Sequence, residues 1–212
     1  MKIQTFFQRT TASLGCAGLL LFTPCLRSEQ PSSPQIGYEV VGQVLNPSAQ
    51  QSLQYGYLNF VRGLDRITTS SGAVVSELTA LLTFYNDTAT ERVINNGPMR
   101  TVDRTGTGTI YFGSGSADFA NPNSFRNGTP VQSYTLRHQV VIDTSTGYFT
   151  TTFEITITSA KTFQIDGKMY LLGHPGGVYR LNVSGKLTQQ SPPSAYIAGA
   201  ADGAGVDGLG NN

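Results

Sequence analysis

The chain has 212 residues and a formal net charge of +1, with 14 lysines and arginines against 13 aspartates and glutamates. So even a balance makes no field able to gather phosphates, which excludes the basic face expected of a nucleic-acid-binding protein or of a membrane-surface patch. Hydrophobic residues supply 39% of the chain, enough for a core, but charged residues supply only 13%, about half the usual ~25% share, so hydroxyl and amide side chains must do most of the solvating.

At the N-terminus, Lys2 and Arg9 precede an uncharged apolar stretch at 11–22 (TASLGCAGLLLF), and Pro24 and Arg27 follow it. A short positive region, a brief apolar run and a nearby break are the marks of a secretory signal peptide, here expected over 1–28. The run is too short for the roughly 20 residues that span a bilayer as a helix, and no later segment approaches that length, so no transmembrane helix is expected. The expected location is exported: periplasmic, cell-surface or secreted. Both cysteines, Cys16 and Cys25, fall inside this leader. The mature domain is then cysteine-free, without disulfide, thiol nucleophile or thiolate metal site. Lipid anchoring through a cysteine fits less well, because Leu14 stands one place off the usual spacing before Cys16 and Pro24 directly precedes Cys25.

Residues 29–35 (EQPSSPQ) read as a linker, and the folded domain is expected over 36–188. Strands are expected at 36–44, 53–61, 74–85, 90–94 and 107–112, followed by a long polar loop over 113–130. The clearest alternation comes next. Tyr134, Leu136, His138, Val140 and Ile142 share one face, and Phe149, Thr151, Phe153, Ile155 and Ile157 share another. Strict period-two patterning of this kind marks half-buried strands. The intervening DTSTG at 143–147 makes them a hairpin. Asp166-Gly167 centres a second hairpin over 161–172, since a two-residue turn there demands positive φ. A last strand sets Tyr179, Leu181, Val183 and Leu187 on one side. The remainder, 189–212, is rich in glycine and alanine with little to bury and is expected to be a flexible tail.

The pattern predicts an all-β fold: a single antiparallel β-barrel of about 8–10 strands, up-and-down and calycin-like, with a two-sheet β-sandwich as the alternative. At the level of fold alone this resembles small secreted barrels such as the lipocalins and the allene oxide cyclase and dirigent group, and the resemblance carries no residue with it.

Candidate chemistry is sparse. His138 lies on the apolar face of its strand, where an imidazole needs a partner and is placed to serve as acid, base or ligand anchor. His174, in a Gly-His-Pro-Gly-Gly turn, reads as an exposed loop residue. Hydrolysis needs a serine with its base or paired carboxylates. No G-x-S-x-G elbow occurs, and Glu39, Glu77 and Glu154 fall on the polar faces of expected strands. A loop-built active site would draw on Asp103, Arg104, Asp118 or Arg126. The run Gly203-Ala204-Gly205-Val206-Asp207-Gly208 matches the spacing of a dinucleotide-binding loop. With no strand before it and no helix after it, the match is rejected. The aromatics Tyr55, Tyr57, Tyr85, Tyr111, Phe112, Tyr134, Phe149, Phe153 and Tyr179 either fill a core or line an apolar cavity.

The preferred functional reading is an exported, non-catalytic barrel that binds a small apolar or amphipathic molecule, with Tyr134, His138, Phe149 and Phe153 as the lining residues. No catalytic residue, metal ligand or cofactor is expected. The alternatives are an envelope or extracellular structural or adhesive module, and a small isomerase- or cyclase-like barrel enzyme built around His138.

Overall fold

The computed structural model describes residues 36–113, 115–189, 193–203 and 205–209; the expected leader (1–28) and linker (29–35) lie outside them. In chain order the strands are β1 (Ile36–Leu45), β2 (Gln51–Val61), β3 (Leu82–Asn96), β4 (Met99–Phe112), β5 (Thr129–Asp143), β6 (Tyr148–Ala160), β7 (Thr162–Ile165), β8 (Lys168–Leu172), β9 (Val178–Leu187), β10 (Ala195–Asp202) and β11 (Val206–Leu209). A short 3₁₀ turn spans Pro122–Arg126.

Eight strands close an antiparallel barrel in the order β1–β10–β9–β6–β5–β4–β3–β2, and β7, β8 and β11 form a separate three-stranded sheet. The strands follow one another up and down, apart from the β7–β8 excursion between β6 and β9. At one end, here the rim, lie the connections from β1 to β2, β3 to β4, β5 to β6 and β9 to β10. At the other, capped end lie the longer excursions, including the β7–β8 hairpin, whose Asp166 (φ 50°) and Gly167 (φ 81°) take the two left-handed positions of a tight turn. Phe163 of that hairpin packs on Phe112 at the end of β4, with ring centroids 5.0 Å apart.

Alternation decides what faces the lumen. Tyr134, Leu136, His138 and Val140 of β5, Phe149, Thr151, Phe153, Ile155 and Ile157 of β6, and Tyr179, Leu181 and Val183 of β9 are all buried. Thr152, Glu154 and Thr156 of β6 and Arg180 of β9 face out. Apolar inside and polar outside is the reverse of a membrane-spanning barrel. Among the described residues no helix is long and apolar enough to cross a membrane.

Two expected strands and the tail need correction. The segments 74–85 and 90–94 are not two strands: 74–81 is a loop in which Val74 and Leu78 are exposed, and β3 runs unbroken through 82–96. Glu77 therefore sits in a loop. A register shift between Thr90 and Arg92 adds one residue to β3, which breaks the period-two pattern and splits one strand into two apparent ones. The expected boundary at residue 188 also moves. β10 lies within the supposed tail and pairs with β9 on one side and β1 on the other. Its small residues hide it, since little hydrophobicity marks it as a strand. They are also required, because a Cβ on Gly199 would overlap the Asn182 carbonyl and Val183. A strand does precede the glycine run at 203–208, but it leads into β11 and not into a helix.

Inward glycines set the shape of the lumen. Phe84 stands opposite Gly56, which itself pairs with Gly42; Tyr134 stands opposite Gly108, and Phe149 opposite Gly185. Each large ring lies over a position with no side chain, so a lumen only just wide enough for side chains still holds aromatics.

Two outcomes are expected from this architecture. Gly108→Ala puts a methyl into the Tyr134 ring and Asn86 Oδ1, and should cost about 1–3 kcal/mol as an overpacked core, measured by urea unfolding. A chain stopped after Thr188 lacks β10, leaves β9 and β1 as open edges, and should lose cooperative unfolding and aggregate; a sharp transition in circular dichroism would contradict this.

Candidate functional site

The site lies in the lumen just below the rim, where three neighbouring strands set polar residues side by side. Thr90 of β3, Arg104 of β4, His138 of β5 and Phe153 of β6 form one cross-strand row. With Ser52 and Gln54 of β2 and Thr151 of β6, Arg104 and His138 of this row wall a cavity of about 50 Å³. Val44, Val140, Ile142, Phe149, Phe153 and Leu187 supply its apolar surface.

His138 is 2% exposed, and its ring meets Phe153 edge-on at 4.6 Å between centroids. Among the described residues neither of its ring nitrogens has a hydrogen-bond partner. Burial, reinforced by the nearby Arg104 and opposed by Asp103, pushes its pKa down from 6.5 to about 3. The imidazole is therefore neutral at physiological pH, with one nitrogen a donor and the other an acceptor.

Gln54 is likewise buried. Its Nε2 donates to Ser52 Oγ at 2.8 Å and to Thr88 Oγ1 at 3.2 Å. Thr88 spends its own proton on the Ser52 carbonyl, at 2.8 Å, so the amide atom facing Thr88 must be the nitrogen. That fixes the other amide atom, Oε1, as an acceptor, and it has no partner among the described residues. Arg104 is half-buried, and its Nε donates to Thr90 Oγ1 at 3.2 Å. Burial, followed by the charge of Arg100, lowers the Arg104 pKa. The adjacent Asp103 faces the outer side of β4, where Arg92 Nε at 2.9 Å and Gln139 Nε2 at 3.1 Å hold it. Those two hydrogen bonds lower its pKa.

Of the four residues expected to line a pocket, the structure brings His138, Phe149 and Phe153 to this cavity. Tyr134 lies deeper, its ring over Gly108 and its hydroxyl donating to Asn86 Oδ1 at 2.7 Å. The wider aromatic set divides by strand parity. Tyr55, Tyr57, Tyr85 and Tyr111 point outward, beneath Phe119 and Phe125 of the segment joining β4 to β5. The loop-built cluster does not assemble either. Asp103 and Arg104 lie within β4, while Arg126 stacks on Tyr85 outside the barrel and Asp118 packs locally against Ser124. His174 is exposed in its turn. Among the described residues no group of three or more His, Cys, Asp or Glu side chains is placed to hold a metal ion.

Ser52 and Gln54 did not stand out in the sequence, and Arg104 stood out only as a member of a loop-built cluster, not as a lumen residue. Gln54 alternates with Tyr55 and Tyr57, whose aromatic character marks the wrong face as the inner one. Arg104 precedes a Thr-Gly repeat at 105–109, where inward glycines conceal the strand. Comparisons with family models, curated proteins and solved structures find no match.

The buried imidazole makes stability depend on pH in a known direction. Because its folded pKa of about 3 lies below the ordinary histidine value of 6.5, the unfolded chain binds a proton between those values that the folded chain does not. Stability contributed by the neutral ring is complete above pH 6.5 and falls as pH drops toward 3. His138→Phe should flatten that decline, and at pH 7 should stabilise the protein by about 1 kcal/mol by removing unpaired buried nitrogens. Urea unfolding across pH 3.5–7 reads both; equal pH slopes in the two proteins would refute the buried neutral state.

Proposed function

We propose that the chain is an exported, non-catalytic binding barrel for a small amphipathic molecule, whose polar end enters the cavity beside His138, Gln54 and Arg104. One observation carries the reading: buried polar atoms of His138 and Gln54 face a cavity without partners. An unpaired buried polar atom costs about 1–3 kcal/mol, and such departures from a satisfied core concentrate where function requires them. The cavity of about 50 Å³ is small beside the ~300–1,000 Å³ of pockets for drug-sized ligands. Only a head group and a few carbons fit inside, so the rest of the ligand would lie along Val44, Ile142 and Leu187 at the rim. Export rests on the leader-like 1–28.

Catalysis is the weaker reading. A general base works best with a pKa near the operating pH, and a histidine held at about 3 is far from it. A surface-docking module has one specific observation in its favour. Tyr148 of β6, Lys186 of β9 and Tyr196 of β10 lie directly opposite one another on the outer face, with both tyrosines more than half exposed.

Native mass spectrometry of the protein purified from its own cells separates these readings. A stoichiometric small molecule, released on denaturation and absent from His138→Phe, is the expected result. Bare wild-type protein, with partner retention that is lost in Tyr148→Ala/Tyr196→Ala, would shift the function to the outer face.

A further inference from the structure

Arg104 is half-buried, yet among the described residues no carboxylate pairs with it. Arg100 lies four residues away on the same face of β4, so two like charges lie on the inner side of that strand toward the rim. Arg100 is close enough to lower the Arg104 pKa. A half-buried cation beside a second cation calls for an anion, and a guanidinium matches a carboxylate in a two-pronged geometry. A cationic ligand is repelled by the same pair.

The remaining unpaired atoms refine the demand. The neutral His138 offers one N–H donor and one acceptor nitrogen, and Gln54 Oε1 offers an acceptor only. A bare carboxylate, which has no proton to donate, answers Arg104 and the imidazole N–H but leaves Gln54 Oε1 unpaired. A hydroxyl next to the carboxylate supplies that missing donor. An ammonium group would supply it too, but at the cost of a positive charge beside Arg104 and Arg100. The cavity of about 50 Å³ has room for such a head group, since one water needs only about 10–15 Å³ of the same kind of volume.

Resting on the binding-barrel reading, we infer that the rim cavity recognises a short aliphatic hydroxy-carboxylate. Its carboxylate lies on Arg104 and the His138 N–H, its hydroxyl donates to Gln54 Oε1, and its alkyl chain lies against Val44, Ile142 and Leu187 at the mouth.

Three matched probes test this by calorimetry and by the His138 ring signals in NMR: sodium 2-hydroxyhexanoate, sodium hexanoate and hexane-1,2-diol. The hydroxy acid should bind at least tenfold more tightly than the diol and several-fold more tightly than hexanoate, and should move the His138 resonances. Arg104→Gln should abolish the advantage over the diol, while Arg104→Lys, which keeps the charge but not the planar fork, should retain part of it. Gln54→Leu should bring the hydroxy acid down to the level of hexanoate. Diol binding as tight as that of the hydroxy acid would overturn the inference and leave the binding-barrel reading standing. Equal binding of hexanoate and 2-hydroxyhexanoate would overturn the role of the hydroxyl. If none of the three perturbs His138, the inference fails together with the binding reading.

Discussion

The pairing of β1 with β10 is the interaction on which the rest of this structure depends. It joins the first described strand to one from the last part of the chain and leaves the eight-stranded barrel with no free edge. Closure also creates the opposite wall that every inward side chain needs. Phe84 lies over Gly42 and Gly56 of strands on the β1 side, and Phe149 lies over Gly185 beside β10. An open sheet would expose those rings. β10 can close the barrel because three of its four inward positions, Ala195, Gly199 and Ala201, are small enough to accept the bulk arriving from β9 and β6. Low hydrophobicity here reflects the shape of the space a strand must fill.

The two ends of the lumen treat buried polar groups differently. At the capped end, Tyr38 Oη donates to Tyr179 Oη at 2.9 Å, Tyr179 Oη donates to Gln132 Oε1 at 2.9 Å, and Gln132 Nε2 donates to the Leu172 carbonyl at 2.6 Å. That relay ties β1, β9 and β5 to the small sheet. Burial raises the pKa of Tyr38 and Tyr179, so both phenols keep the protons the relay uses. A satisfied network in a low-dielectric interior strengthens and rigidifies the fold. At the rim, by contrast, His138 and Gln54 hold partnerless atoms although the same strands could have carried phenylalanine or leucine there. The capped end satisfies its buried polar groups, and the rim leaves polar atoms of His138 and Gln54 unpaired at a cost in stability.

Most of the barrel was legible because period-two alternation survives wherever a strand is long, regular and half-buried. The β5–β6 hairpin, with its inward Tyr134 to Ile142 and Phe149 to Ile157, is the clearest case, and the Asp166-Gly167 turn follows directly from its need for positive φ. Legibility failed where geometry overrides local pattern. A single extra residue near Glu91 divided β3 in two, and glycines in β4 and β10 read as loop or tail because a sequence does not reveal the ring across the sheet that needs their space. The candidate site was half legible for the same reason. His138, Phe149 and Phe153 lie on strands with clean parity, so alternation places them inside. Gln54 and Arg104 lie on strands where outward tyrosines or inward glycines blur the parity. Only closure brings β2 to face β5 and β6 around one cavity.

The charge state of that cavity constrains what it can do. Burial in the apolar wall, together with Arg104, keeps His138 neutral, so the imidazole has one donor and one acceptor nitrogen. Asp103 is an acid whose charge reaches His138, but it faces away from the lumen and is committed to Arg92 and Gln139. Among the described residues no carboxylate hydrogen-bonds His138 or pairs with Arg104. An anion bound at Arg104 would change this balance by offsetting the positive field, and it would raise the histidine pKa by the same electrostatics that now hold it down. Occupancy and the protonation of His138 are thus coupled through one guanidinium. The strand that places Arg104 inward sends Asp103 outward by a single step of alternation, so the separation of this cation from the adjacent carboxylate follows from the pleat of β4.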